Sequence, residues 1–167
     1  MKNIILIGMP GSGKSTVGVV LAKVLGYRFL DSDLLIQERE GRLLSEIMEQ
    51  EGIDGFIRIE EEINAGICTE SCVIATGGSV VYGQKAMEHL GEIGTVVYLS
   101  LPLKELEARL GNLRCRGVVL RDGQTLEDLY KERVPLYERY ADITVDETGM
   151  DVEQTLEMLV SQLRIYK

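Results

Sequence analysis

The chain has 167 residues, and about 100–200 residues are typical of one compact domain. Hydrophobic residues make up 45% and charged residues 27%, with 3 Pro and 18 Gly, a composition that excludes collagen-like, low-complexity and disordered chains. Asp and Glu number 27 against 18 Lys and Arg, and the net charge of −9 disfavours binding to a nucleic-acid backbone.

Short apolar runs alternate with longer helical segments along the chain. After a strand predicted at residues 3–7, a helix is predicted at 15–25, where apolar residues recur with helical spacing and Gly26 ends the pattern. The other predicted strands cover residues 28–30, 73–75, 95–99 and 143–145. An apolar stripe over residues 152–163 predicts a last helix that packs on the sheet. This alternation predicts an α/β fold with a mainly parallel sheet in a single domain, residues 1–167.

The first predicted strand and helix are joined by a segment with the pattern G-x-x-x-x-G-K-S. Backbone N–H groups at a helix N-terminus can surround phosphate oxygens, and glycines allow the turn and the close approach. Lys14 is expected to contact the β- and γ-phosphates of a nucleotide, and the Ser15 hydroxyl to ligate Mg²⁺. A glycine turn that binds nothing does not explain this Lys and Ser. The predicted phosphate-binding residues are Gly8, Gly11, Ser12, Gly13, Lys14, Ser15 and Thr16.

Two carboxylates, Asp31 and Asp33, follow the second predicted strand. The carboxyl ends of parallel strands face the ligand crevice, and side chains two apart on an extended segment share one face. Asp31 is therefore expected to help hold hydrated Mg²⁺, and Asp33 to accept the proton of an attacking hydroxyl group. The alternative is an Asx turn that caps the next helix, with Ser32 or Asp33 as its N-cap.

Together these motifs resemble the shikimate kinase family, small P-loop kinases of the nucleoside monophosphate kinase fold group. The resemblance covers nearly the whole chain, and it extends to residues 56–61, 76–79, the segment around Arg116 and R-V-P-L-Y at 133–137. It implies a three-layer P-loop kinase fold with a parallel five-stranded sheet, an acceptor-binding helical region at about residues 33–66 and a lid at about 111–123. It further implies an enzyme, acting as a monomer or weak dimer, that uses ATP and Mg²⁺ to phosphorylate the 3-hydroxyl of shikimate.

The resemblance also implies roles for residues on the acceptor side. Asp33 resembles the family's aspartate that hydrogen-bonds the acceptor hydroxyls and serves as base. Gly77 and Gly78 resemble the loop whose backbone amides meet the acceptor. Arg133 resembles the arginine that pairs with the acceptor carboxylate, a geometry that suits the guanidinium fork. The alternative for Arg133 is a surface salt bridge to Glu132 or Asp128.

Two further arginines resemble family residues on the ATP side. Arg116 resembles the lid arginine near the transferred phosphoryl group, where a cation offsets charge shared among the phosphates. Arg109 resembles the residue that stacks on adenine. The alternative for Arg116 is simple solvation, and Arg114 and Arg121 compete with it for the lid role.

Two departures from the family pattern fall on the acceptor side. The family usually has an arginine directly after the residue equivalent to Phe56, where this chain has Ile57, and Arg58 comes one place later. A helix turns about 100° per residue, so Arg58 does not simply inherit that position, although it remains a candidate to reach the acceptor carboxylate. The usual glycine triplet is altered too, with Thr76 in its first place and Ser79 after Gly78.

Two other functions stay open: a kinase of the same fold for another small hydroxy acid, sugar acid or nucleoside monophosphate, and a nucleotide-binding switch without catalysis. Residues 38–66 contain few basic side chains, which disfavours a nucleotide acceptor. The acidic run Glu60–Glu62 is interpreted as a solvated helix face, and the alternative is that Glu60 or Glu61 orients a nearby arginine. Three cysteines without a ligand pattern, and no apolar run near the ~20 residues of a membrane helix, predict a cytoplasmic protein without structural zinc.

Overall fold

The computed structural model describes residues 2–111 and 118–163, and five strands of these residues form one parallel sheet. The strands are β1 (Asn3–Ile7), β2 (Arg28–Asp31), β3 (Cys72–Ala75), β4 (Gly94–Ser100) and β5 (Ile143–Asp146). Their order across the sheet is β2-β3-β1-β4-β5. The predicted parallel five-stranded sheet is confirmed, and each strand end lies within one residue of its prediction.

Helices connect consecutive strands. They are α1 (Lys14–Leu25), α2 (Ser32–Glu40), α3 (Leu44–Ala65), α4 (Gln84–Ile93), α5 (Leu103–Arg109), α6 (Leu126–Tyr140) and α7 (Val152–Leu163), with a short 3₁₀ helix at Val80–Tyr82. Gly26 ends α1 in the left-handed conformation, as the sequence predicts. No helix in the described parts of the chain is long and apolar enough to cross a membrane.

The sheet is covered by helices on both faces, which makes three layers. Ile5 and Ile7 of β1 face a cluster built with α4, α5 and α6, whereas Ile4 and Leu6 face a cluster built with α1 and α7. Successive strand residues point to opposite faces, so a strand covered on both sides needs a continuous apolar run. This requirement explains the unbroken apolar run Ile4–Ile7 of β1. The helices on both faces of the sheet confirm the expected three-layer fold.

A third apolar cluster lies beside the carboxyl ends of the strands, between α2 and α3. Ile36, Ile47 and Phe56 are buried in it. Gly52, with a φ of 72°, interrupts the helical backbone of α3, so the helix changes direction there. These two helices occupy the region 33–66, where the acceptor-binding region is expected.

Val118 and Val119, which follow α5 along the chain, pack beside this region. Of the lid expected at about 111–123, residues 112–117 lie outside the described residues, and with them Arg114 and Arg116. Val118 is buried against the cluster that contains α6, and Val119 against the α2–α3 cluster. The end of the expected lid therefore contacts both the cluster that contains α6 and the α2–α3 cluster.

Candidate active site

The loop after β1 brings the N-terminus of α1 to the carboxyl edge of the sheet. A Cβ on Gly8 would lie 2.8 Å from the carbonyl oxygen of Leu99 on β4, so only glycine fits between the two strands. Gly13 has a φ of 85° and is the N-cap of α1. The loop thus turns tightly and directs the first backbone N–H groups of α1 outward, as phosphate binding requires.

Lys14 lies folded along the inside of this loop. Its Nζ donates hydrogen bonds to the carbonyl oxygens of Gly8 at 2.8 Å and Met9 at 2.9 Å. Burial lowers the pKa of Lys14 to about 8, and the negative charge of Asp33 opposes that shift. The loop carbonyls therefore hold the ammonium group at the centre of the phosphate cradle.

Ser15 and Asp31 meet at the edge of the loop. Ser15 Oγ donates a hydrogen bond to Asp31 Oδ2 at 2.9 Å. Asp31 Oδ1 accepts from the backbone N–H groups of Asp33 and Leu34, so Asp31 is the N-cap of α2. The alternative assignment of Ser32 or Asp33 as N-cap is wrong, because the chain enters the helical conformation one residue earlier. Asp31 orients α2 with one oxygen and Ser15 with the other.

Asp33 lines the cavity together with residues of the loop. Burial and the nearby charge of Asp31 raise its pKa to about 6. Its Oδ1 lies 2.7 Å from the point where a Cβ of Gly77 would stand. A side chain at position 77 would therefore force the carboxyl group of Asp33 to move.

Arg133 reaches the same cavity from α6 and is 1% exposed. Its Nε donates to the hydroxyl of Tyr82 at 3.3 Å, and its Nη2 donates to the carbonyl of Val119 at 3.1 Å. Its Nη1 lies 2.9 Å from the point where a Cβ of Gly78 would stand. The alternative of a surface salt bridge is wrong, since the guanidinium group is buried.

These groups surround one cavity of about 430 Å³. The phosphate loop lines it, and so do Asp33, Gly77 and Arg133, the residues expected on the acceptor side. The cavity thus brings a phosphate cradle, a carboxylate and a buried guanidinium group together.

Glu60 also lines the cavity, and sequence reasoning missed it. It is 1% exposed, and Ser79 Oγ donates to its Oε1 at 2.6 Å. Glu62 is exposed as predicted and pairs with Arg39. The signal was available in the spacing, because Glu60 is four residues after Phe56 and therefore on the buried stripe of α3.

Of the expected site arginines, Arg58 lies away from the cavity and Arg109 lies beside the phosphate loop. Arg58 is exposed on α3 and does not line the cavity. Arg109 ends α5, and its Nη1 donates to the carbonyl of Gly11 at 3.2 Å, beside the phosphate loop. Arg121, considered for the lid role, forms an exposed ion pair with Asp54. The ATP side of the expected set is therefore assembled more completely than the carboxylate-binding part.

The two altered glycine positions both form side-chain hydrogen bonds. Thr76 Oγ1 donates to the carbonyl oxygen of Leu6 at 2.8 Å, and the Thr76 backbone N–H donates to the same oxygen. Ser79 holds Glu60, as described above. The two substitutions thus fix the loop to β1 and to α3.

Comparisons with a family model and with known proteins identify the same family. A family model described as Shikimate kinase matches residues 10–164. Shikimate kinase from Thiobacillus denitrificans is 40% identical over 169 aligned residues, covering 99% of this chain and 92% of that protein.

Two solved structures share the fold over nearly their full length. Shikimate kinase from Acinetobacter baumannii, in complex with shikimate, is 33% identical with a TM-score of 0.87, covering 98% of this chain and 94% of that one. Shikimate kinase from Aquifex aeolicus is 30% identical with a TM-score of 0.82, covering 97% and 96%. On these findings, the chain belongs to the shikimate kinase family.

Proposed function

We propose that the chain transfers the γ-phosphoryl group of ATP to the 3-hydroxyl of shikimate. The observation that carries this proposal is a cavity lined by Lys14 of the phosphate loop together with Asp33 and Arg133. An acceptor with a hydroxyl and a carboxylate fits these two groups. The relative from Acinetobacter baumannii, whose structure contains shikimate, supports this choice of acceptor.

In the proposed reaction, Asp33 accepts the proton of the acceptor hydroxyl as that oxygen attacks the γ-phosphorus. Lys14 and the backbone N–H groups of the loop stabilise negative charge on the transferred group. Arg133 binds the acceptor carboxylate and so orients the hydroxyl toward the phosphate. A lid that closes over the cavity, as the family resemblance implies, would exclude water that otherwise hydrolyses ATP.

Mg²⁺ fits the oxygen atoms present beside the loop. Ser15 Oγ and Asp31 Oδ2 lie 2.9 Å apart, and hard oxygen donors are the ligands that Mg²⁺ prefers. Among the described residues, no group of three or more His, Cys, Asp or Glu side chains is arranged for a metal ion. This agrees with an ion held largely by phosphates and water, which would neutralise charge on the β- and γ-phosphates.

The ATP side of the proposal includes two arginines. Arg109, bonded to the loop at Gly11, is proposed to stack on adenine, and Arg116 to approach the transferred phosphoryl group when the lid closes. We further propose a cytoplasmic enzyme that acts as a monomer or weak dimer, and the free thiols of Cys68 and Cys72 support a reducing compartment.

The direct test is a coupled assay of ADP release with shikimate, other hydroxy acids and nucleoside monophosphates as acceptors. We expect ADP release that depends on both shikimate and Mg²⁺. Faster turnover with a different hydroxy acid would identify that acid, rather than shikimate, as the acceptor. ATP binding without turnover of any acceptor would favour a nucleotide-binding switch.

A second prediction concerns Ile57, which packs against the α2–α3 cluster where the family usually has an arginine. An arginine there would add a charge-assisted hydrogen bond to the acceptor carboxylate, an interaction of about 1.5–3 kcal/mol. We expect Ile57→Arg to lower the KM for shikimate roughly tenfold while the KM for ATP stays unchanged. Ile57→Met, measured in parallel, controls for altered packing. An unimproved KM for shikimate in a stable Ile57→Arg variant would count against this acceptor.

A further inference from the structure

The carboxyl group of Glu60 has a hydrogen-bond partner on one oxygen only. Ser79 Oγ donates to Oε1 at 2.6 Å, whereas Oε2 is buried and has no partner among the described residues. Oε2 lies 2.7 Å from the point where a Cβ of Gly77 would stand, and Asp33 Oδ1 lies 2.7 Å from the same point. The unpartnered oxygen and the Asp33 carboxyl group therefore lie beside the same face of Gly77.

The charged groups that act on Glu60 come from three other elements. They are Asp33 on α2, Arg133 on α6 and Lys14 on α1. Among the described residues, Glu60 forms no ion pair with either cation. Both cations are engaged elsewhere, Lys14 by carbonyls of the phosphate loop and Arg133 by Val119 and Tyr82.

The titratable residues on the remaining elements around α3 are exposed or have other partners. On α4, Lys85 is exposed, and the ring of His89 bonds the carbonyl of Ile67. In the 3₁₀ helix, the Tyr82 hydroxyl donates to a carboxylate of α6. One turn earlier on α3 itself, position 57 is an apolar isoleucine, so the helix supplies no cation there.

A charge on Glu60 would be costly in this setting. An ionised carboxylate needs partners for both oxygens, and an unpaired buried charge is strongly disfavoured. Burial raises the pKa of Glu60 to about 8, and the negative charge of Asp33 adds to that effect. At neutral pH Glu60 therefore carries a proton, and Asp33 is the carboxylate that bears charge beside Gly77.

We propose that Glu60 is a specificity-determining residue for an acidic acceptor: as a neutral acid held by Ser79, it leaves the positive charge of Arg133 to the acceptor carboxylate. This inference rests on the proposed function. When Glu60 ionises, its charge offsets that of Arg133 and repels the acceptor carboxylate. The acceptor then binds less tightly, although the phosphate loop is unchanged.

The test is calorimetric titration of shikimate into the full chain without nucleotide, from about pH 6.5 to about pH 9.5. We expect the Kd of the unaltered protein to rise about tenfold between about pH 7.5 and 9.5, because acceptor binding is linked to the proton on Glu60. Glu60→Gln keeps the shape without the charge, so its Kd should stay nearly constant. Ser79→Ala removes the hydrogen bond that lowers the pKa of Glu60, so the rise should begin at a higher pH.

Two controls separate Glu60 from other titrating groups. The pKa of Lys14 falls in the same range, and Lys14 remains in every variant, so the difference between the unaltered protein and Glu60→Gln isolates Glu60. The uncharged methyl ester of shikimate should bind with a Kd independent of pH.

Four outcomes decide the inference. If the Kd for shikimate rises equally with pH in the unaltered protein and in Glu60→Gln, the inference is overturned. A Kd that stays constant with pH in the unaltered protein overturns it too. If Glu60→Gln does not fold, a rise that does not move in Ser79→Ala overturns it. Absence of shikimate binding at every pH contradicts the proposed function itself and removes the basis of this inference.

Discussion

Lys14→Met is expected to reduce phosphoryl transfer at least about 10²-fold, since removing one donor that stabilises transition-state charge typically has this effect. Lys14 Nζ is held by the carbonyls of Gly8 and Met9 at the centre of the loop, so no other side chain of the loop can replace its charge. Methionine keeps most of the aliphatic length and avoids a cavity. The measurement is initial rate of ADP release at saturating substrates, with the melting temperature of each variant.

The matched control for this variant is Lys23→Met, on the last turn of the same helix and exposed. It should keep the rate of the unaltered protein. The structure buries Lys14, so some loss of stability accompanies the loss of rate. A Lys14→Met variant that is folded and retains activity within a few fold of the unaltered protein would contradict the assignment of the phosphate loop.

The sheet could be predicted from the sequence because its determinants are local. A strand covered on both faces requires a continuous apolar run, and β1 has one from Ile4 to Ile7. The predicted strand ends were short by one residue where a polar residue, such as Asp31 or Asp146, continues the backbone pairing. Side-chain polarity marks where a strand leaves the core, but backbone hydrogen bonds extend further.

The nucleotide end of the cavity was predictable for the same reason. The phosphate loop is contiguous in sequence, and Asp31 follows a strand whose end faces it. The acceptor end depends on contacts between distant segments, such as Ser79 with Glu60 and Arg133 with Val119. No local pattern encodes these pairings, because the sheet topology and the kink in α3 bring the segments together.

The acidic run on α3 shows how helical geometry separates similar residues. Glu60 and Glu62 are two positions apart, which is about 200° around the helix. Glu60 therefore faces the cavity while Glu62 faces solvent and pairs with Arg39. The same rotation carries Arg58 away from the cavity, and a charge run interpreted as one surface hides this difference.

Asp33→Asn is expected to lower the rate with any hydroxyl acceptor by about 10²-fold or more, while ATP affinity is retained. The amide has nearly the same shape and can accept a hydrogen bond beside Gly77, but it cannot take the proton of the attacking hydroxyl. The measurements are kcat with shikimate and the Kd of a non-hydrolysable ATP analogue. The Asp31 carboxylate caps α2 and accepts from Ser15, whereas the Asp33 carboxylate stands beside Gly77, so the two should respond differently to the same change.

Asp31→Asn is the matched control, because the amide oxygen can still cap α2 while the charge beside Ser15 is lost. This variant should require more Mg²⁺ for half-maximal activity, whereas Asp33→Asn should lose kcat at every Mg²⁺ concentration. The reverse pattern would exchange the two roles: if Asp33→Asn abolished nucleotide binding and Asp31→Asn abolished only turnover, Asp33 would act at the metal and Asp31 at the acceptor. Asp33 lies beside Gly77 and lines the cavity with Arg133, whereas Asp31 is not among the lining residues, and this favours Asp33 as the group that meets the acceptor.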